Sequence, residues 1–294
     1  MKRSNYALIV AHPDDEIIFA SSLIKNAKKI IIIFSDYINN KIITNGRKNI
    51  QKNFPLKNTI FFNIPQAKET KKKINWYKVI ENEYGIEGEK EFEDYRKNFI
   101  NMKVRLIDEL YGIDFLYTHS PWGEYGHPEH IQVFKAVMYV SQVIKSEVKV
   151  FGYFSSNNFP YLIEKQNLLT KKPEIRKTNI PLFMEIRNLY FNNNCWTWYN
   201  KYLVPSEEYF YTVNQKKYFK NKKYSSLSDK NYFNYICHPF FSRTTKCIKL
   251  NPNFIISKYI IFQNKNLFVF RSFIAFIYRN LIKEKITHFI NFLR

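Results

Sequence analysis

Two histidine-containing stretches of this chain carry residue types that can bind a metal ion and move protons. The first reads AHPDDE at residues 11–16, and the second reads HPEH at residues 127–130. In the first stretch, His12 and Asp15 can bind one metal ion, and Asp14 between them can face the attacking water. Acids also cap helices and suit the first turn of a helix, which would explain them without any chemistry. Capping does not explain a histidine and a proline placed directly before the acids.

The second stretch has the features of another strand-to-helix turn. It follows the apolar run 113–117, and Pro128 is suited to the first turn of a helix. On that helix, His127 and His130 are three residues apart and share a face. An HxxH spacing alone is weak evidence for a metal site, but two histidine-containing turns of this kind are much stronger evidence.

The elements around these turns predict an α/β fold. Apolar runs typical of buried strands alternate with segments of helical periodicity, which indicates a Rossmann-like, mostly parallel sheet with helices on both faces. Because the carboxyl ends of parallel strands lie at one edge of a sheet, we expect the two histidine turns to meet there. The predicted strands are 6–12, 29–36, 59–63, 113–117 and 148–154, and the predicted helices are 47–54, 91–111 and 128–144.

Together, the two stretches resemble the signatures of the PIG-L/LmbE family of zinc-dependent de-N-acetylases, an AHPDDE block and a later HPDH-like block. The resemblance extends over roughly residues 5–213. It implies that the metal ligands are His12, Asp15 and His130. It also implies that Asp14 is the general base.

The chemistry of these side chains agrees with those roles. Two imidazoles and one carboxylate leave open positions on a metal ion, as in a catalytic site. We expect His127, joined by the hydroxyl of Tyr125, to stabilise the oxygen of the tetrahedral intermediate, and Glu129 to orient His127. Zinc is the expected metal, and Fe(II) or Co(II) would also suit this donor set.

Two positions depart from the family's pattern. Glu129 stands where the second block usually has Asp, which keeps the charge but lengthens the side chain. The family often has Arg-x-x-Glu after the second strand, whereas this chain has Arg47 with Ile50 in place of the Glu. Arg47 is therefore a candidate substrate contact. Beside the second block, Trp122 is a candidate for stacking on a sugar ring, and His119 is expected to be structural.

Two further segments are interpreted from their composition. Residues 66–90 are polar and charged, which is more typical of a solvated surface insertion than of a phosphate site. Residues 195–210 are rich in aromatic side chains and resemble the family's segment that closes over the substrate groove. Closure of an aromatic core is the alternative interpretation of that segment.

The C-terminal part of the chain is basic and aromatic. The chain has a net charge of +21, and residues 166–294 hold 22 basic and six acidic residues. We therefore predict a deacetylase domain over residues 1–213 and a basic extension over 214–294. Within the extension, residues 254–294 interleave basic and aromatic side chains, which favours peripheral attachment to a membrane, with packing on the domain as the alternative. Motifs that read nucleic-acid bases are absent, so a nucleic-acid partner is not expected.

The cysteines and the N-terminus indicate the compartment. Cys195, Cys237 and Cys247 form neither a CxxC pair nor an even set, which is typical of a reducing environment. The only apolar run in residues 1–20 is short and leads directly into the first histidine turn, so no signal peptide is expected. These features predict a cytoplasmic protein, with peripheral attachment at the cytoplasmic membrane face.

These observations predict a metal-dependent hydrolase that removes the N-acetyl group from an amino sugar, which can be free or linked to a nucleotide, lipid or glycan. One alternative is a non-catalytic glycan-binding or scaffold protein of a polysaccharide assembly machinery. Another is an amidase that acts on a different N-acyl conjugate. The intact base and ligand set favour an enzyme over a scaffold protein.

Overall fold

The computed structural model describes residues 5–37, 40–155, 157–170, 172–198, 202, 204–220, 233–235 and 248–250, the last two ranges by their backbone only. Its strands are β1 (Tyr6–Val10), β2 (Lys29–Asp36), β3 (Thr59–Pro65), β4 (Glu81–Asn82), β5 (Gly85–Ile86), β6 (Phe115–Thr118), β7 (Glu147–Phe151), β8 (Tyr153–Phe154), β9 (Glu174–Lys177), β10 (Glu207–Thr212), β11 (Phe233–Tyr235) and β12 (Ile248–Leu250). Its helices are α1 (Asp15–Ile24), α2 (Lys41–Lys52), α3 (Phe92–Leu110), α4 (Pro128–Ile144), α5 (Phe159–Lys165), α6 (Ile180–Asn192) and α7 (Gln215–Phe219), with a 3-10 turn at Gln166–Leu168.

The main sheet of the described residues has seven strands in the order β3-β2-β1-β6-β7-β10-β9. The first five in this order are parallel, whereas β10 is antiparallel to both β7 and β9. The chain proceeds outward from β1 to β3 and then returns to β6 on the other side of β1. The carboxyl ends of β1 and β6 therefore border the crevice at which sheets of this kind bind ligands. The prediction of a mostly parallel α/β sheet is confirmed.

The centre of the sheet is covered by helices. Every residue of β1 is buried, and so are residues 30–35 of β2. Such continuous apolar runs, rather than alternating ones, are typical of parallel strands that are covered on both faces. Helices α1 and α2 both contact α6, and α3 packs against α4. The strands that lead into the histidine turns are therefore rigidly held.

Two elements differ from their predicted bounds for identifiable reasons. Helix α2 begins before residue 47, because the side chain of Asn40 accepts hydrogen bonds from the backbone N–H groups of Ile42 and Ile43. The strand predicted over 148–154 is interrupted at Gly152, where a Cβ atom would come within 2.7 Å of the Tyr209 side chain. Beyond this interruption, β8 pairs with β11, which pairs with β12.

The basic segment 254–294 lies outside the described residues, so its attachment to a membrane stays a prediction, as does the domain boundary at residue 213. None of the helices in the described part of the chain is both long and apolar enough to cross a membrane.

Candidate active site

The turn between β1 and α1 carries three of the predicted site residues. His12 follows β1 closely, and α1 begins at Asp15. Between them, Asp14 has a φ of 103°, a left-handed conformation that is unusual for a residue with a side chain. The backbone N–H of His12 donates to Asp15 Oδ2 at 2.8 Å, and that of Asp14 donates to Glu16 Oε2 at 2.9 Å. These bonds hold a buried, acid-rich turn in one conformation.

The turn after β6 brings two more histidines to the same edge of the sheet. Helix α4 begins at Pro128, and His127 caps it by accepting the backbone N–H of Glu129 on Nδ1 at 3.2 Å. This bond leaves the proton of the neutral imidazole on Nε2. His130 lies in the first turn of the helix, and its ring stacks on that of His127 with centroids 4.7 Å apart.

His12, Asp15 and His130 converge on one point. His12 Nδ1 lies 3.2 Å from Asp15 Oδ2 and 3.3 Å from His130 Nε2, which lies 3.3 Å from the same Asp15 oxygen. Ligand atoms at about 2.0 Å from a tetrahedral zinc ion are roughly 3.3 Å apart from one another. The three donor atoms therefore fit one metal ion in both chemistry and spacing.

The two neighbouring carboxyl groups of the first turn are pushed toward different protonation states. Burial, followed by the negative charge of Asp15, raises the pKa of Asp14 well above its usual range. Burial alone would also raise the pKa of Asp15, but the surrounding imidazoles, first that of His130, outweigh it and lower this pKa well below its usual range. Such a division is typical of sites in which one carboxylate is a fixed charge and another transfers protons.

The imidazoles of His12 and His130 are each held from behind by a carboxylate. His12 Nε2 donates to Glu129 Oε2 at 2.9 Å, and His130 Nδ1 donates to Glu124 Oε2 at 2.7 Å. Because the outer nitrogens carry the protons, the nitrogens that face Asp15 can act as ligands. Metal-binding histidines typically have outer partners of this kind.

His119 lies beside the three donor atoms but has a structural role. Its Nε2 is 3.5 Å from Asp15 Oδ2, yet the same nitrogen accepts the backbone N–H of Ala11 at 2.8 Å. Its Nδ1 donates to Glu124 Oε2 at 2.9 Å. Since both ring nitrogens are engaged, His119 ties the two turns together and has no free nitrogen to offer a metal ion.

Glu124 is a central residue that the sequence did not reveal. Its carboxylate accepts hydrogen bonds from His119, from His130 and, at 2.6 Å, from the backbone N–H of Ser120. Burial would raise the pKa of Glu124, but the imidazoles, first that of His119, lower it to about 2. The available signal was an acid next to Gly123 inside a turn with three histidines, for which Glu129 offered only one carboxylate.

Glu129 supports a different histidine from the one predicted. Its carboxylate reaches His12, and only its backbone N–H contacts His127. The longer Glu side chain extends away from the start of α4, and its oxygens also accept from the backbone N–H of Ala67 at 3.0 Å and from Gln66 Nε2 at 3.2 Å. The prediction that this carboxylate orients His127 was wrong.

The segment 66–90 is therefore more than a solvated insertion. Its ends reach the site, because Ala67 is buried and the side chain of Lys90 is only 7 % exposed. Lys90 Nζ lies 3.6 Å from Glu129 Oε1 and donates to the Ala67 carbonyl oxygen at 3.3 Å. The middle of the segment, including residues 71–73, is exposed as predicted.

Residues 7–141 match the model of the PIG-L family, described as GlcNAc-PI de-N-acetylase. The chain carries a PIG-L family domain. Both histidine turns lie inside the matched range. A comparison with curated protein sequences finds no match.

Several solved structures show remote similarity to this chain. The A40926 pseudoaglycone deacetylase Dbv21 is 12 % identical, with 73 % of this chain and 99 % of that chain covered and a TM-score of 0.43. A deacetylase in complex with teicoplanin, from the teicoplanin biosynthesis pathway, is 11 % identical, with coverage of 70 % and 98 % and a TM-score of 0.42. The zinc-inhibited form of the teicoplanin deacetylase Orf2 is 11 % identical, with coverage of 64 % and 82 % and a TM-score of 0.37.

Two groups of the PIG-L domain are suited to donate hydrogen bonds to a substrate oxygen. The ring of half-buried Tyr125 lies 5.8 Å from that of His127 and 5.2 Å from that of His130, measured between centroids. Burial, followed by the charge of Asp15, raises the pKa of Tyr125 well above its usual range, so its hydroxyl keeps its proton. Burial, followed by the charge of His12, lowers the pKa of His127, so its imidazole is neutral with the proton on Nε2.

A segment beyond the match to the PIG-L family also reaches the site. The hydroxyl of Thr197 donates to Asp14 Oδ2, and its backbone N–H donates to the same oxygen at 3.3 Å. The ring of Trp198 lies 5.4 Å from that of Tyr125. The sequence left open whether this segment covers the site or closes an aromatic core, and it did not identify Thr197 as a partner of Asp14.

The two predicted substrate contacts lie in different surroundings. Trp122 is completely buried, and its Nε1 donates to the Tyr153 carbonyl oxygen at 2.7 Å, so it cannot stack on a sugar. That prediction was wrong, because a tryptophan in a polar turn can fold inward when a buried carbonyl accepts its N–H. Arg47 is also buried, but its charge acts on the pKa of Asp14, which places it at the site.

Proposed function

We propose that this protein is a metal-dependent hydrolase that removes the N-acetyl group from an N-acetylated amino sugar. The observation that carries the proposal is the convergence of His12 Nδ1, Asp15 Oδ2 and His130 Nε2 beside the buried carboxyl group of Asp14. The match to a family described as GlcNAc-PI de-N-acetylase supports an N-acetylglucosamine unit in the substrate.

His12, Asp15 and His130 would hold the metal ion. We propose zinc, and Fe(II) or Co(II) are compatible with the same two nitrogens and one oxygen. When bound, such an ion polarises the acetyl carbonyl group and lowers the pKa of water. Glu129 and Glu124 keep the two imidazoles in the orientation and protonation state that ligands need.

Asp14 would be the residue that moves protons. Its carboxylate removes a proton from the attacking water as the water oxygen bonds to the acetyl carbon, and it returns this proton to the nitrogen as the C–N bond breaks. The products are acetate and a free amine. Hydrogen bonds from Thr197 hold one oxygen of Asp14 in place. His127 Nε2 and the Tyr125 hydroxyl would donate hydrogen bonds to the carbonyl oxygen as negative charge develops there.

The test is release of acetate by the purified, metal-loaded chain. The panel contains free, nucleotide-linked and lipid-linked N-acetylhexosamines, together with N-acyl conjugates that are not sugars. The proposal predicts acetate from at least one amino sugar and little from the other conjugates. Hydrolysis of only the other conjugates would indicate an amidase, and sugar binding without acetate release would indicate a scaffold protein.

The segment 254–294 supports a proposal about location. Its basic residues would attract anionic headgroups, each by about 1 kcal/mol, and its aromatic rings would enter the interface. Attachment to the cytoplasmic membrane face would bring a lipid-linked amino sugar to the site. Co-sedimentation with anionic and neutral liposomes, for the full chain and a chain ended after Asn253, tests this. Equal sedimentation of both chains would contradict it.

A further inference from the structure

Arg47 brings a positive charge into the site without a hydrogen-bond or close ion-pair partner among the described residues. Its side chain is 2 % exposed, and both Nε and Nη1 are buried without a hydrogen bond in that part of the chain. The ring of Tyr37 lies beside it, with its centroid 5.6 Å from the guanidinium carbon. Burying a charge without a partner is strongly unfavourable, so such a group requires an explanation.

Other buried cations of the described chain have carboxylate partners. Lys90 Nζ lies 3.6 Å from Glu129, and Lys135 Nζ lies 3.1 Å from Glu81. Burial of a cation in this protein is thus normally accompanied by a counter-charge. Arg47 departs from that pattern.

Acids in the same part of the fold have other partners. Asp14, on which the charge of Arg47 acts, accepts hydrogen bonds from Thr197. Asp36 at the end of β2 pairs with Lys48 at 3.5 Å, and Glu16 accepts the hydroxyl of Tyr190 at 2.6 Å. One turn after Arg47, where a carboxylate could pair with it along the helix, stands the buried apolar Ile50.

Arg47 is held at the edge of the sheet where the proposed chemistry occurs. Helix α2 follows β2, whose carboxyl end lies next to that of β1. The preceding residue, Gly46, packs so closely that a Cβ atom there would meet the Asn193 carbonyl oxygen at 2.0 Å and the Cys195 side chain at 2.9 Å. The same segment continues to Thr197, which contacts Asp14. Arg47 therefore lies on a helix that packs closely against the segment that contacts Asp14.

We propose that Arg47 binds an anionic group, a phosphate or a carboxylate, that the amino-sugar substrate carries. The inference rests on the proposed function and specifies its substrate class. A guanidinium presents a planar set of donors that matches the oxygens of either anion. A neutral sugar would leave the buried charge unpaired, so the site would discriminate against it.

The test compares neutral and anionic sugars with the zinc-loaded full chain. The substrates are N-acetylglucosamine, its 1-phosphate, its 6-phosphate and N-acetylmuramic acid, in which the anion is a carboxylate. We expect at least one anionic sugar to exceed the neutral one in kcat/KM by about 100-fold, and the preferred member identifies phosphate or carboxylate as the anion. Arg47→Met should reduce this ratio to within about threefold of unity, and Arg47→Lys should retain part of it. Lys48→Met is the matched control, since Lys48 is exposed and should leave the ratio unchanged.

Two further readouts separate this inference from the proposed function and from a structural role. Inorganic phosphate should bind the zinc-loaded wild type more tightly than zinc-loaded Arg47→Met. Since any contact of phosphate with zinc is common to both proteins, the difference in affinity reports the contribution of Arg47. This result together with no acetate release from any sugar would contradict the proposed function and leave the anion site standing. The ligand-free melting temperature of Arg47→Met should equal or exceed that of the wild type, because an unpaired charge is removed.

Three results would overturn the inference. The first is acetate release with equal kcat/KM for neutral and anionic sugars. The second is an equal loss for both classes in Arg47→Met, which would mean that Arg47 acts only on Asp14. The third is a lower melting temperature of Arg47→Met, which would mean that its charge is paired within the fold.

Discussion

The two imidazoles that face Asp15 are supported in different ways. His130 is held by Glu124, whose own partners, Ser120 and His119, lie within a few residues of it in the same turn. His12 is held by Glu129, which belongs to the other histidine turn. One half of the site is therefore stabilised locally and the other by tertiary contacts.

Glu129 is itself held in place by a segment that is distant from it in the sequence. Its oxygens are bound by Gln66 and Ala67 and lie near Lys90, at the two ends of the segment 66–90. Substitutions in that segment should therefore weaken the hold of Glu129 on the imidazole of His12 and leave the imidazole of His130 in place. We therefore predict that metal affinity depends on the segment 66–90 as well as on the two histidine turns.

The largest effect is expected from Asp15, on which both halves converge. Asp15→Ala removes the one carboxylate that faces both imidazoles, so we expect loss of stoichiometric metal and of detectable acetate release. Metal content of the dialysed protein measures this. A fully metal-loaded variant would show that the two imidazoles bind the ion without Asp15.

Asp14→Asn should separate chemistry from metal binding. Asp14 does not supply any of the three proposed donor atoms, so the variant should keep its metal. Acetate release should fall by about 10²- to 10⁴-fold, the usual cost of a lost general base. Rates are to be compared at equal metal content. Wild-type activity in this variant would assign the base to another group.

Glu124→Gln and Glu129→Gln compare the two supports directly. Each change should weaken metal binding by about 10- to 100-fold, the usual cost of losing an outer partner of a metal-binding histidine. Glu124→Gln should have the larger effect and also lower the melting temperature, because Glu124 serves His119 as well as His130. Metal titrations and melting curves of both variants measure this. The reverse order would contradict the division into a local and a tertiary half.

The smallest effect is expected from Lys90→Met, which tests the insertion. Lys90 contacts Glu129 rather than a donor atom, so we expect metal affinity to fall by about two- to fivefold, less than for loss of Glu129 itself. Lys72→Met is the control in the same segment, since its side chain is 63 % exposed and pairs with Glu87 on the surface. Equal metal affinity of the two variants would show that the segment 66–90 does not support metal binding through Lys90.

The same contrast explains what the sequence could reveal. Local signals identified His12, Asp14 and Asp15 at a strand-to-helix turn and the start of α4 at Pro128, because turn and helix-start residues act on their own neighbours. Parallel strand order then predicted that His130 would join the first turn, and the structure brings their ligand atoms together. That they hold a metal ion stays a prediction.

Contacts between distant segments could not be predicted in this way. The partners of Glu129 at Gln66 and Lys90 depend on how an insertion folds back over the sheet, which no local periodicity encodes. Trp122 was placed wrongly because its N–H partner, the carbonyl oxygen of Tyr153, lies on another strand. Thr197 was missed for the same reason, since its role exists only through contact with Asp14.

Anomalous diffraction at the zinc absorption edge, from crystals of the full chain grown with stoichiometric zinc, would locate the metal ion directly. We predict one strong peak bounded by His12 Nδ1, Asp15 Oδ2 and His130 Nε2, with no zinc on His119. A peak that includes His119 in place of His12, or no peak at these three atoms, would contradict this prediction.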